Sequence, residues 1–151
     1  MEFADAVIAN LGKSPAQLKP VNYVNGSPMN LKSYVPKPPK TKELLGVDLF
    51  LHATERNPEK LAAAVNQLRV GHLELTMITN RGIKVWPEGF AETFCTDHWR
   101  CRFKPVAGQK TTSAEIVQLM SAALDLGLDV VKTENLYAFD GKPAYSLGQG
   151  Q

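Results

Sequence analysis

The chain has no apolar run near the roughly 20 residues that a membrane-spanning helix requires, and only two cysteines, too few for a secreted disulfide framework. No basic segment followed by an apolar one opens it, so no signal peptide is read. A glycine-rich loop that could cradle a phosphate is missing: Gly148-Gln149-Gly150 has no helix behind it. The Gly-aromatic-Gly-aromatic run of RNA-binding sheets is missing as well. These absences predict a soluble protein of a reducing, cytoplasmic compartment, with no membrane and no nucleic acid among its partners. Net charge is also scarce, at +2, but it is unevenly spread. Residues 13–43 carry six lysines against Glu43 alone, so the basicity lies in a connecting segment and not on a domain face.

What is present fits one globular domain. A chain of 151 residues with 44% apolar and 21% charged residues can bury one sizeable core. The stretch Leu45–Gly71 sets the pattern. Val47, Leu49, Phe50 and Leu51 form a nearly continuous apolar run, which suits a central strand covered on both faces. After the polar turn His52–Arg56, Asn57 can cap a helix and Pro58 suits its first position. Leu61, Ala64, Val65 and Leu68 then share a stripe that Gly71 ends.

Further along, Leu73, Leu75 and Met77 alternate with Glu74 and Thr76, and Asn80-Arg81-Gly82 turns the chain into Ile83–Trp86. Trp99, Cys101 and Phe103 alternate with Arg100, Arg102 and Lys104, predicting a strand with one core face and one solvated basic face. Thr112 and Glu115 make a capping box for a helix whose stripe is Ile116, Leu119, Met120, Ala123 and Leu124, ended by Gly127. Asp129–Phe139 is rich in strand formers, and Asp140-Gly141 turns it into a last strand at Ala144–Leu147. The order strand, helix, strand, strand, helix, strand predicts an α+β fold. Its specific form is a βαββαβ, ferredoxin-like (split βαβ) sandwich with extra hairpin strands, preceded by a short helix and a Pro-rich linker.

The N-terminal segments complete the division. Phe3, Val7, Ile8 and Leu11 recur at helical spacing before Gly12. From Ser14 to Glu43 come six of the ten prolines, with Asn25-Gly26-Ser27-Pro28 as a turn and Pro36-Lys37-Pro38-Pro39 as an extended piece. The expected parts are a helix at 1–12, a Pro/Lys-rich arm at 13–43, an α+β domain at 44–147 and a frayed tail at 148–151.

Three side-chain groups invite a chemical role, and each has a plainer explanation. Cys95-x-x-His98-x-x-Cys101 lacks the fourth ligand of a structural zinc site, and in a strand 98 and 101 point to opposite faces. Trp99, Arg100, Arg102, Phe103 and Lys104 resemble an RNA-binding strand, but their aromatic and basic residues lie on opposite faces. Asp48, His52 and Glu55 have no nucleophile to serve, and solvated strand-end polar groups explain them. No catalytic, cofactor-binding or metal-binding residue is therefore assigned. The helix residues Phe3, Val7, Ile8 and Leu11 are assigned as an interface, because a helix this short is marginal alone in water and its apolar face needs cover.

Glu2–Gly12, EFADAVIANLG, resembles the last helix of bacterial NADP-dependent isocitrate dehydrogenases. Asn80-Arg81-Gly82-x-x-Val85-Trp86-Pro87 and Thr133-Glu134-Asn135-Leu136-Tyr137-x-Phe139-Asp140-Gly141 look like the additional C-terminal domain of the longer, Thermus and Rickettsia type of that family. The resemblance implies a parent enzyme of the tricarboxylic acid cycle. That enzyme oxidatively decarboxylates isocitrate to 2-oxoglutarate with NADP and magnesium or manganese, usually as a homodimer. The residues that hold substrate, metal and NADP belong to the catalytic fold, which would be the partner of this chain, so none is carried over and the chain alone should be inactive. It is expected to be a non-catalytic accessory and assembly domain. The alternative is a free-standing ACT-like regulatory module that binds a small ligand or a partner.

Overall fold

The computed structural model describes residues 2–21, 33–90 and 92–149. The chain divides into two units, residues 1–37 and 38–151. In the first, helix α1 (Glu2–Ala9) buries none of its residues. Gly12 follows it at φ +78°, the left-handed conformation in which glycine ends a helix at no steric cost. The expected turn at 25–28 lies outside the described residues.

The second unit contains strands β1 (Lys42–His52), β2 (Leu73–Asn80), β3 (Ile83–Trp86), β4 (His98–Pro105), β5 (Asp129–Phe139) and β6 (Lys142–Pro143), with helices α2 (Pro58–Val65) and α3 (Ser113–Asp125). The strands form one sheet in the order β3-β2-β4-β1-β5-β6, and every neighbouring pair is antiparallel. The α+β class expected from the sequence is what is observed. β1 begins at Lys42, inside the stretch expected to be linker.

β1 occupies the centre for the reason its sequence suggests: Gly46 through Leu51 are all buried, which needs cover on both faces of the sheet. Its register with β4 sorts the side chains. Val47, Leu49 and Leu51 lie across from Phe103, Cys101 and Trp99 on one face, while Asp48 and Phe50 lie across from Arg102 and Arg100 on the other. The first set joins Leu61, Ala62 and Val65 of α2 and Ile116, Leu119 and Ala123 of α3 in one apolar cluster, so both helices cover the same face. Gly46 sits at φ +149°, and a Cβ there would lie 2.3 Å from the Phe103 carbonyl oxygen. Only glycine lets these two backbones approach so closely.

Local chemistry sets the helix ends. The Asn57 side chain accepts from the Glu59 and Lys60 amides, at 2.9 and 3.2 Å, which satisfies donors the first turn of α2 leaves open. Thr112 and Glu115 cap α3 reciprocally: Glu115 N–H donates to Thr112 Oγ1 and Thr112 N–H to Glu115 Oε2.

Several expectations need correction. α2 ends at Val65, six residues short of Gly71, because its last carbonyls are taken by a tighter turn in which the Gln67 and Leu68 amides donate to Ala64 and Val65. Ala62 is buried and Ala64 only partly so. Met77 does not share the face of Leu73 and Leu75, since a bulge between Leu75 and Met77 shifts the register and puts Ile78 on the helix side. Leu124 is 60% exposed, because a stripe covering a sheet is narrower than the apolar pattern of α3. The last strand is only Lys142–Pro143, and Ala144–Leu147 is not a strand. The described part of the expected frayed tail is bonded: Gln149 N–H donates to the Gly82 carbonyl and Lys84 N–H to that of Gln149, both at 3.0 Å.

Candidate functional site

The face of the sheet away from the helices carries the most unusual side-chain chemistry. The alternation of β4 places Arg100 and Arg102 there, directly opposite Phe50 and Asp48 of β1. Arg102 donates from Nε to Asp48 Oδ1 at 2.7 Å and from Nη2 to Oδ2 at 2.8 Å, a bidentate pair. The Arg102 side chain is fully buried and that of Asp48 nearly so. Arg100 Nε lies 3.7 Å from Asp48 Oδ2 and donates to Thr79 Oγ1 at 2.9 Å.

The chain after β6 covers this network. The Ser146 carbonyl accepts from Arg102 Nη2 at 2.9 Å, and its hydroxyl accepts from Arg100 Nη1 at 3.3 Å. The Tyr145 ring lies under Arg102 and Lys104, at 4.9 and 5.5 Å from the charged groups. A Cβ at Gly148 would come within 3.0 Å of the Thr79 methyl and 3.1 Å of the Met77 sulfur. The basic face expected in solvent is therefore closed over at Arg102, and Asp48 is a buried mid-strand carboxylate and not a solvated strand-end group. Both were misplaced for the same reason: the cover arrives from residues more than 40 positions away in sequence, and no local pattern announces it.

Other residues singled out in the sequence lie apart. His52 Nδ1 is 3.3 Å from Asp129 at the sheet end. Glu55 accepts from the Arg56 and Asn57 amides, and the Asn57 bond is the main cause of its lowered pKa. Cys101 is buried in the helix-side cluster, where desolvation pushes its thiol well above the usual range. His98 instead stacks on Phe50, with ring centroids 5.6 Å apart, on the other face. Phe3, Val7, Ile8 and Leu11 are all exposed, Phe3 at 85%.

Among the described residues no group of three or more His, Cys, Asp or Glu side chains could hold a metal ion. The two helix N-termini of the second unit are already occupied by Asn57 and by the Thr112–Glu115 box, which leaves no ready seat for the phosphates of NADP. A cleft of about 510 Å³ between α2 and the loop after β3, lined by Glu55, Asn57, Val85, Phe90 and Cys95, gathers no acid–base pair around a nucleophile.

The second unit is thus an α+β domain with both helices on one face of its sheet and the buried Asp48–Arg102 pair on the other. The family model described as "Bacterial isocitrate dehydrogenase, C-terminal domain" matches residues 42–151, and the chain belongs to that family. It is 33% identical over 152 residues to the isocitrate dehydrogenase [NADP] of Rickettsia bellii, covering 99% of this chain and 32% of that protein. To the enzyme of the same name from Thermus thermophilus it is 33% identical over 155 residues, covering 99% of this chain and 30% of that one. The crystal structure of the TT0538 protein, also from Thermus thermophilus, is similar with a TM-score of 0.70 and 32% identity, over 99% of this chain and 30% of that one. The chain thus spans about a third of the length of the curated relatives it matches. Nothing in these likenesses favours the free-standing ACT-like module.

Proposed function

We propose that this chain is the non-catalytic accessory and assembly part of an NADP-dependent isocitrate dehydrogenase, working in the cytoplasm against the catalytic part of the same enzyme. That parent would decarboxylate isocitrate oxidatively to 2-oxoglutarate with NADP and magnesium or manganese, as a homodimer. The observation that carries the reading is the contrast between the two units. The sheet domain is buried on both faces at β1, whereas Phe3 and Ile8 of α1, and Leu11 just after it, are more than half exposed. Each such side chain forgoes about 1.5–3 kcal/mol of burial while it stays in water, so the α1 face is where the catalytic fold docks.

The sheet itself is read as ferredoxin-like. In support, its four long strands run β2-β4-β1-β5 with antiparallel neighbours, and the helices following β1 and β4 pack in one cluster on one face. β3 and β6 are then added edge strands.

The test is the DNA upstream of Met1 together with an assay. An open frame encoding the rest of an isocitrate dehydrogenase, whose product co-purifies with this chain, is the expected result. A promoter and start site directly before Met1, or NADP reduction by this chain alone with isocitrate and magnesium, would overturn it.

A further inference from the structure

Where the β2–β3 turn meets the face of the sheet away from the helices, Phe50, Thr79, Arg81, Gly82, His98 and Arg100 line a hollow of about 140 Å³. No carboxylate is among them. The buried one beside them, Asp48, has both oxygens taken by Arg102 and stands 3.7 Å from Arg100 Nε. Two guanidiniums thus share one carboxylate, where neither arginine side chain is more than 14% exposed, and an unbalanced charge away from water is costly. Hydrogen-bonding capacity is left over as well. Arg100 donates from Nε to Thr79 Oγ1 and from Nη1 to Ser146 Oγ, at 2.9 and 3.3 Å, but its buried Nη2 has no acceptor among the described residues. Thr79 Oγ1 accepts from Arg100, and its own proton has no acceptor there either. The Arg81 side chain makes no ion pair or hydrogen bond among the described residues.

We propose that this hollow binds a small oxyanion, inorganic phosphate or a short dicarboxylate, held between Arg81 and Arg100. Chemistry selects the occupant. A guanidinium presents paired N–H donors that match two oxygens of a phosphate or carboxylate, the Thr79 hydroxyl adds a donor, and no lining side chain is acidic enough to repel negative charge. Size excludes a nucleotide, because sites for drug-sized ligands run to roughly 300–1,000 Å³. Phe50 forms the apolar wall, with His98 stacked on it at 5.6 Å and Lys132 Nζ 4.4 Å from its ring centre. Lys132 already pairs with Glu134, so the charge left for the anion is that of the two arginines. The 14% of the Arg100 side chain that stays exposed leaves room for a small turn of the guanidinium that brings Nη2 to the ligand. The bound anion then supplies the missing acceptor and balances the excess charge, so it stabilises the folded chain by mass action.

Amide NMR titration of the full 151-residue chain with sodium phosphate, and separately with sodium malonate, tests this against sodium chloride of equal ionic strength. Saturable shifts at Thr79, Arg81 and Gly82 are expected with at least one of the two anions and not with chloride. Which anion saturates tells phosphate from carboxylate. Arg81→Gln, in the exposed turn, should weaken binding about tenfold or more while the rest of the spectrum stays native. Arg100→Lys keeps the charge but loses the planar fork and should weaken it too. Lys60→Gln, on α2, should leave it unchanged. Shifts that grow alike with all three salts, Arg81→Gln or Arg100→Lys binding like the native chain, or an equal loss in Lys60→Gln would each overturn the proposal.

Discussion

Arg102 grips both carboxylate oxygens of Asp48, at 2.7 and 2.8 Å, in a part of the sheet where neither side chain meets water to any extent. Removing Asp48 takes the only carboxylate of this pair away from the buried Arg102 and from Arg100, 3.7 Å away. Asp48→Ala is expected to cost about 3–5 kcal/mol of stability, whereas the apolar double replacement Asp48→Leu with Arg102→Met should cost clearly less. Part of the residual loss will come from the Ser146 carbonyl, which loses its donor. Urea unfolding of the three proteins measures this, and a double variant less stable than Asp48→Ala would contradict it.

Gly46 and Gly82 both hold left-handed backbone, at φ +149° and +83°, but only Gly46 faces an obstacle, the Phe103 carbonyl oxygen. Alanine at 82 should cost about 1 kcal/mol for conformation alone. Alanine at 46 adds a clash with backbone that cannot step aside, and more than about 2 kcal/mol is expected. Equal losses in thermal unfolding would mean that β1 and β4 can separate locally without penalty.

The α3 cap gives a pH dependence of known sign. The Thr112 amide, then its hydroxyl, hold the Glu115 carboxyl below its ordinary pKa. A carboxyl depressed in the folded state contributes stability that is fully present above its unfolded pKa and is lost as pH falls through the folded value. Glu115→Gln should therefore lower stability near neutrality, where the carboxylate acts, and leave the strongly acid end close to that of the native chain, which flattens the acid side of the profile. Thr112→Ala should cost about 1 kcal/mol at neutral pH. Acid unfolding of Glu115→Gln that follows the native curve would remove the carboxylate from the cap.

α1 spans eight residues and buries none, which is below the length at which a helix persists alone. In the isolated chain its amides from Val7 to Leu11 are expected to exchange with solvent fastest among the helices, far ahead of α3. Addition of the catalytic part of the enzyme should slow them. Strong protection without that partner, unaffected by dilution, would place the cover of α1 within the chain itself.

Much of this architecture is legible in the residues. The apolar run of β1, the Asn57–Pro58 start of α2, the Thr112–Glu115 box and the alternation of Trp99, Cys101 and Phe103 report local backbone preference and side-chain period, which neighbours in sequence determine. The same strand that placed Trp99 and Phe103 correctly in the core misdirected Arg102. Alternation says which residues share a face and is silent about what covers that face. At Met77 the period itself failed, because one extra residue in β2 turns the following side chains over, and nothing in Leu73–Asn80 marks the bulge.

By itself, then, the sequence determined the helices, the long strands, their caps and the family motifs, because those depend on contacts a few residues apart. Tertiary structure alone decided that Asp48 meets Arg102, that residues 145–149 cover the second face around Arg102, and that Met77 turns away from the helices. Each of these depends on segments brought together over tens of residues, where burial and pairing are set by the assembled sheet and not by the preference of any one strand.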